Sequence, residues 1–395
     1  MKKWWGQIAV LLVLCLYSCT VLLRPMTVYG ETEKISVPSA KKLQSIKLGI
    51  NKGAYGYIDS TTGKAFCRPL SYDSKVVQST ASLAKLITVQ VILERRPVKA
   101  GASGPTITIT ADDVARFQDV LSKGGSFATV FEGEKISERQ MLEGILLASS
   151  NNMADSLAIW AYGSIKNYHA AATKWLKNNN LSNTVIGDDA SGFNAGTESN
   201  PVDLCKIALL ASKKPIINEI LSEKQAALPS GDVLTNTNRL VGTDGVIGGK
   251  TGYTEEAGHG VVLIAHKKID DTVMTVSAIT MGNDDYNSAF TNSQRLLNTT
   301  TDDITTLRID ANQKVGSITT AWGEKSDIVA SHSLTAPYWV DKPPELKTEL
   351  TGQIANALSP DTVIGRLKVG DDSLNLVNSK AIKPASLGWR LVHPL

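Results

Sequence analysis

The spacing of apolar residues changes character several times along the chain. Two lysines near the start lead into a largely apolar stretch from Ile8 to Leu23. Residues 31–47 are polar and without period, which reads as a linker. Ala54 to Ile58 and Lys64 to Arg68 then flank the turn-rich Asp59-Ser60-Thr61-Thr62-Gly63, the pattern of a β-hairpin. From Ser82 to Glu94 the period becomes helical, with Leu83, Leu86, Ile87, Val91 and Ile92 on one stripe and Pro97 beyond its end. Thr106 to Ile109 alternates like a strand. Ser137 followed by Gln140 forms a capping box ahead of a helix through Met141, Leu142, Ile145 and Leu146. Further helices are predicted over Met153–Ala161, Ala170–Lys177 and Pro201–Ala211. Strands follow over Val246–Lys250, Val261–Lys267 and Thr272–Met281, the last two paired antiparallel, and a helix over Ser288–Leu297.

Past residue 300 only short alternating segments appear, separated by Gly and Pro. A boundary is expected between Asn298 and Asp303. The predicted organisation is an N-terminal segment 1–30, a linker 31–47, a main domain 48–300 and a small β-rich domain 303–395. Strands at both ends of a helical block imply an α/β (α+β) fold, one antiparallel sheet built from early and late segments with helices flanking it.

Charge sharpens the reading of the N-terminus. The net charge is +3, from 41 basic and 38 acidic residues. Lys2, Lys3 and Arg24 lie in the first thirty residues, which hold no acid, so the remaining body is balanced. No basic footprint is visible, and no nucleic-acid partner is expected. Basic start, apolar stretch and the small residues Val28 and Gly30 form a secretory pattern, with cleavage after Gly30 as one reading. The other is an uncleaved anchor, with Trp4 and Trp5 at the interface. Both put the body outside the cytoplasm, anchored on the outer face of the membrane or released to the cell wall. Cys67 and Cys205 are compatible with a disulfide in that compartment and equally with two free buried thiols. No Cys/His spacing suits a metal, and no cofactor is expected.

Ser82-Leu83-Ala84-Lys85 opens the first amphipathic helix. Positions i and i+3 share a helix face, which puts Lys85 beside Ser82. Serine becomes a nucleophile when a neighbouring base takes its proton, and lysine serves as that base when burial or a cation lowers its pKa. Two further motifs follow: Ser149-Ser150-Asn151, at a turn between helices, and Lys250-Thr251-Gly252, at the end of an apolar strand. S-x-x-K, S-x-N and K-T-G in that order form the signature of penicillin-binding proteins and β-lactamases. There is no G-x-S-x-G, H-E-x-x-H or Gly-rich phosphate loop, and the five histidines form no cluster.

With these motifs the body resembles the low-molecular-mass penicillin-binding proteins, the serine-type D-Ala-D-Ala carboxypeptidases. The segments Ser79 to Thr88 and Gly248 to Gly258 look like that family's nucleophile and K-T-G segments. The resemblance covers about residues 45–300; the tail is more weakly similar to the family's second domain. It implies a β-lactamase-like antiparallel sheet flanked by helices. It also implies trimming of the terminal D-Ala from peptidoglycan stem peptides through an acyl-enzyme, with β-lactams as covalent inhibitors. By the same resemblance Ser82 is the nucleophile, Lys85 the base, Ser149 a proton relay and Asn151 a ligand of the substrate backbone. Lys250 supplies positive charge that keeps Lys85 neutral, Thr251 binds the terminal carboxylate, and Gly252 and Tyr253 continue the binding strand. The backbone N–H groups of Ser82 and Tyr253 form the oxyanion hole.

Ser150 departs from the Gly or Asp often found within S-x-N. Between Asn151 and Glu198 there is no Glu, and Asp188 and Asp189 reproduce no Glu-x-x-x-Asn pattern. Efficient β-lactam hydrolysis is therefore not expected. Endopeptidase and transpeptidase outcomes use the same acyl-enzyme, and a catalytically silent cell-wall binding protein is the alternative from another class. The last eleven residues, with Gly388 and Pro394, make a poor helix, so membrane attachment would fall to the N-terminal segment.

Overall fold

A computed structural model describes residues 2–23, 30–33, 35, 37, 39–41, 43, 52–351 and 357–393. The chain forms two compact units, one of Leu43–Thr305 and one combining Met1–Lys42 with Thr306–Leu395.

The larger unit is built on a five-stranded antiparallel sheet. Its strands are β1 (Gly53–Ile58), β2 (Ala65–Pro69), β3 (Val246–Thr254), β4 (Gly258–Ile269) and β5 (Thr272–Asn283), in the order β3-β4-β5-β1-β2. Pairing of Val276 with Tyr57 and Ala278 with Tyr55 joins the late strands to the early hairpin. The longer helices are α1 (Lys85–Arg95), α2 (Ala111–Ser122), α3 (Glu138–Leu146), α4 (Asn151–Tyr162), α5 (Ile165–Asn178), α6 (Pro201–Ala211) and α7 (Tyr286–Asp303), with a short helix over Pro215–Ser222 between the last two. Both α6 and α7 pack on β4 and β5. Val261 to Ala265 of β4 is accordingly apolar and buried without alternation, as a strand covered on both faces requires. Helix α1 is buried from Lys85 to Leu93. It runs through a core shared with Ile145, Leu157, Leu204, Val262 and Ile279.

Two differences from the sequence reading matter. The first helix does not begin at Ser82: a 3₁₀ turn over Ala81–Ala84 precedes α1. Helix α2 is not among the elements predicted above, although Val114, Phe117 and Val120 follow a helical period. It is opened by a polar device, Thr110 Oγ1 accepting from Asp113 N while Thr110 N donates to Asp113 Oδ2. The capping box read at Ser137 is present, with Gln140 N donating to Ser137 Oγ at 3.2 Å and Ser137 N to Gln140 Oε1 at 3.1 Å.

Cys67 of β2 and Cys205 of α6 form a disulfide, which settles the open reading of these residues. Because 138 residues separate them in sequence, the bond removes much of the freedom of the unfolded chain. The double variant Cys67→Ser/Cys205→Ser is expected to lose about 2–5 kcal/mol of unfolding free energy, measured by urea denaturation of both proteins under the same oxidising conditions.

The smaller unit holds a six-stranded antiparallel sheet. Its order is Gly30–Thr32, Lys314–Thr319, Lys325–Ala330, Asp372–Asn378, Val363–Val369 and Leu346–Leu350. Ile318, Ile328, Ile364, Leu367 and Leu376 fill its core. Residues 31 and 32, read as linker, instead pair with Ser317 and Gly316 and so cover an otherwise open sheet edge. Residues 44–47 of that linker, and the cleavage segment 24–29, lie outside the described residues. The N-terminal helix spans Lys2–Leu23, and no helix among the described residues is long and apolar enough to cross a membrane. The C-terminal segment, read as a poor helix, forms a short one over Leu387–Val392; Ser386 caps it by accepting from Trp389 N.

Candidate active site

Ser82 lies in the 3₁₀ turn, where three residues per turn bring i and i+3 into eclipse. Lys85 Nζ accordingly donates to Ser82 Oγ at 2.7 Å. The turn is clamped on one side by Gln78–Ser79, which pairs with Glu198–Ser199, and by Thr80 N donating to Thr197 O. Ala81 adopts φ +46°, a left-handed value that a residue with a Cβ rarely takes. The opposite side needs two glycines. A Cβ on Gly192 would run into the Ala81 carbonyl, and one on Gly252 would stand 3.1 Å from Leu83 N and 3.2 Å from Ser82 N. Strand β3 thus passes directly against the backbone of Ser82.

Lys85 is fully buried, and its ammonium donates to three acceptors: Ser82 Oγ, Asn151 Oδ1 at 2.7 Å and Ser191 O at 2.9 Å. Burial lowers its pKa from the ordinary lysine value to about 7, against the opposing charges of Asp189 and Asp155. Lys250 is also fully buried, and Nζ donates to Thr251 O at 3.0 Å. Burial, and then the charge of Lys85, hold it well below the ordinary lysine range. Desolvation is the largest cause that brings Lys85 toward neutrality, and the two buried lysines each disfavour the other's charge. Acylation by a β-lactam should accordingly rise as pH increases through about 7 and fall below it; stopped-flow labelling from pH 5 to 9 reads this limb directly.

Ser82, Ser149, Asn151, Thr251, Gly252 and Tyr253 line one cleft of about 800 Å³. Lys85 and Lys250 stand behind it. Ser149, between α3 and α4, has φ +61° and is buried, and its hydroxyl makes no hydrogen bond among the described residues. Asn151 begins α4; its amide oxygen is taken by Lys85, while its Nδ2 faces Gly125, where a Cβ would come within 2.8 Å. The side chain is thus shared between lysine and cleft, a role wider than the substrate contact expected of it. Thr251 Oγ1 donates to Thr237 Oγ1 at 2.8 Å, and Tyr286 also lines the cleft, its phenol pushed up in pKa by burial. Tyr253 is half exposed and stacks on His259, with ring centroids 4.2 Å apart; His259 meets Tyr286 edge-on at 4.6 Å.

Several of these residues escape the motifs. Asp189 accepts from Ser191 N, Gly192 N and Asn194 N, shaping the loop that presents Ser191 O to Lys85. Its signal was the Asp189-Ala190-Ser191-Gly192 run, an Asx-turn pattern. Thr237, Tyr286 and Gly125 carry no comparable local signal, since only long-range packing brings them to the cleft. Among the described residues no group of His, Cys, Asp and Glu converges to hold a metal ion.

A family model for Peptidase S11, D-alanyl-D-alanine carboxypeptidase, matches residues 41–285. A D-alanyl-D-alanine endopeptidase of Haemophilus influenzae is 26% identical over 232 residues, 57% of this chain and 75% of that protein. The D-alanyl-D-alanine carboxypeptidase DacD of Salmonella typhimurium is 26% identical over 286 residues, covering 71% of this chain and 70% of its own. Among solved structures, penicillin binding protein 5 from Haemophilus influenzae superposes with a TM-score of 0.63 at 20% identity, covering 87% of this chain and 100% of that one. At that identity the likeness establishes the fold.

Proposed function

The chain belongs to the Peptidase S11 family, the D-alanyl-D-alanine carboxypeptidases, and we propose that it performs this hydrolysis with Ser82 as nucleophile and Lys85 as base. The observation that carries the reading is the 2.7 Å contact from a buried lysine to the serine hydroxyl. Neutral Lys85 takes the Ser82 proton as Oγ attacks the carbonyl of the penultimate D-Ala. The backbone N–H groups of Ser82 and Tyr253 receive the oxyanion, a donor of that kind contributing about 3–4 kcal/mol. The amide C–N bond then breaks. The proton held by Lys85 passes through Ser149 to the departing D-Ala amine, and the acyl group stays on Ser82. Water, deprotonated by Lys85, hydrolyses the ester.

Thr251 and Thr237 offer adjacent hydroxyls for the terminal carboxylate, with Asn151 Nδ2 on the opposite wall for the peptide backbone. The substrate class is a peptidoglycan stem peptide ending in D-Ala-D-Ala, and a β-lactam mimics that ending. The protein works outside the cytoplasm, held by its N-terminal helix or released after cleavage. Two measurements test this. A labelled penicillin should modify Ser82 stoichiometrically and persist, because the segment between Asn151 and Glu198 holds no Glu and so no Glu-x-x-x-Asn element to activate water against the penicilloyl ester. A synthetic pentapeptide should release D-Ala. Absence of label would leave a silent binding protein, whereas cleavage of cross-linked dimers without D-Ala release would make it an endopeptidase.

A further inference from the structure

Asp155 has no part in the mechanism above, yet it stands one helical turn beyond Asn151 on the same face of α4. Asn151 touches Lys85 directly. Asp155 reaches it through a short stretch of loop. Ala190 N donates to Asp155 Oδ1 at 2.8 Å, and the next residue's carbonyl, Ser191 O, accepts from Lys85 Nζ at 2.9 Å. The same stretch is fixed to α1, since Thr88 Oγ1 donates to Ala190 O at 2.6 Å. Asp189 spreads its oxygens over three backbone N–H groups, whereas Asp155 accepts from one; both charges act on Lys85, that of Asp189 the more strongly.

We propose that Asp155 is a positioning residue for acylation. Its carboxylate anchors the Ala190–Ser191 segment on Lys85 and supplies negative charge toward the ammonium formed when Lys85 takes the Ser82 proton. This rests on the reading of Lys85 as base. Asp155 is faced by Lys85 of α1, Arg116 of α2, Tyr168 of α5 and Asp189 of the loop. Lys85 is faced by Asp155, Asp189 and Lys250. Burial, and then Asp189, raise the Asp155 pKa to about 6. Its charge is therefore present over the range near pH 7 in which Lys85 loses its proton. Removing a nearby negative charge lowers the pKa of a lysine, so the free base persists to lower pH but is weaker.

The test compares the full-length protein with Asp155→Asn, which keeps an oxygen acceptor for Ala190 N, and Asp155→Ala, which does not. The rate of Ser82 acylation by a fluorescent penicillin is followed across pH 5–9. For Asp155→Asn the acid limb should move down by roughly half a pH unit or more, with a plateau lowered roughly two- to threefold. Asp155→Ala should show the same shift with a deeper loss. An Asp155→Asn profile that superposes on wild type, or that falls without moving its limb, overturns the proposal, and it does so even if Asp155→Ala fails to fold. If the unmodified protein is not acylated at all, the reading of the active site fails instead, and the two failures are thus distinct.

Discussion

Replacing Ser82 by alanine is expected to abolish covalent labelling by penicillin and to lower D-Ala release by about 10⁴-fold or more. The size of the effect follows from the chemistry: without Oγ there is no acyl-enzyme, and only binding and any oxyanion-hole contribution remain. Stability should barely move. Ser82 is only partly buried, and the one hydrogen bond of its hydroxyl among those described is the one from Lys85 Nζ, whose loss costs on the order of 1 kcal/mol. Intact-mass spectrometry after penicillin treatment, together with a thermal melt, separates loss of the nucleophile from loss of the fold. A labelled Ser82→Ala protein would move the nucleophile elsewhere in the chain.

Lys85→Met should be almost as damaging to acylation, by roughly 10³-fold or more, because the serine loses the amine in contact with its hydroxyl. Methionine fills a similar buried volume and removes the cost of desolvating an ammonium. It leaves the acceptors Asn151 Oδ1 and Ser191 O unpaired, at about 1–3 kcal/mol each, and these two effects oppose one another. The diagnostic is the pH profile. Any residual acylation should no longer rise through pH 7, because the group that titrates at about 7 is gone. A slow variant that keeps the wild-type limb would assign that limb to another group.

Much of the site was legible because its chemistry is local. Ser82 and Lys85 are three residues apart in a turn, and Ser149 and Asn151 two apart at a helix start. Thr251 to Tyr253 follow one another on a strand. Spacing of this kind survives any packing. The strands and most helices were legible too, since alternation and a 3.6-residue period are imposed by one-sided burial. Less legible were features whose cause lies elsewhere in the chain. The 3₁₀ turn at Ser82 depends on Gly192 and Gly252 approaching from distant segments. Helix α2 is a different case, since Val114, Phe117 and Val120 recur at helical spacing behind the Thr110 cap and its signal is local. The edge strand at Gly30–Thr32 depends on a partner nearly three hundred residues later.

The sequence by itself determined which groups could react and in what order they sit along the chain. A nucleophile beside an amine, a polar turn and a K-T-G strand are statements about neighbours in sequence. Only the tertiary structure decided how those groups behave. Whether Lys85 is a cation or a base at neutral pH depends on complete burial, on Asp189 and Asp155 brought from other elements, and on a second buried lysine close enough to repel it. Desolvation and Coulomb interaction act through space, so no local spacing encodes them.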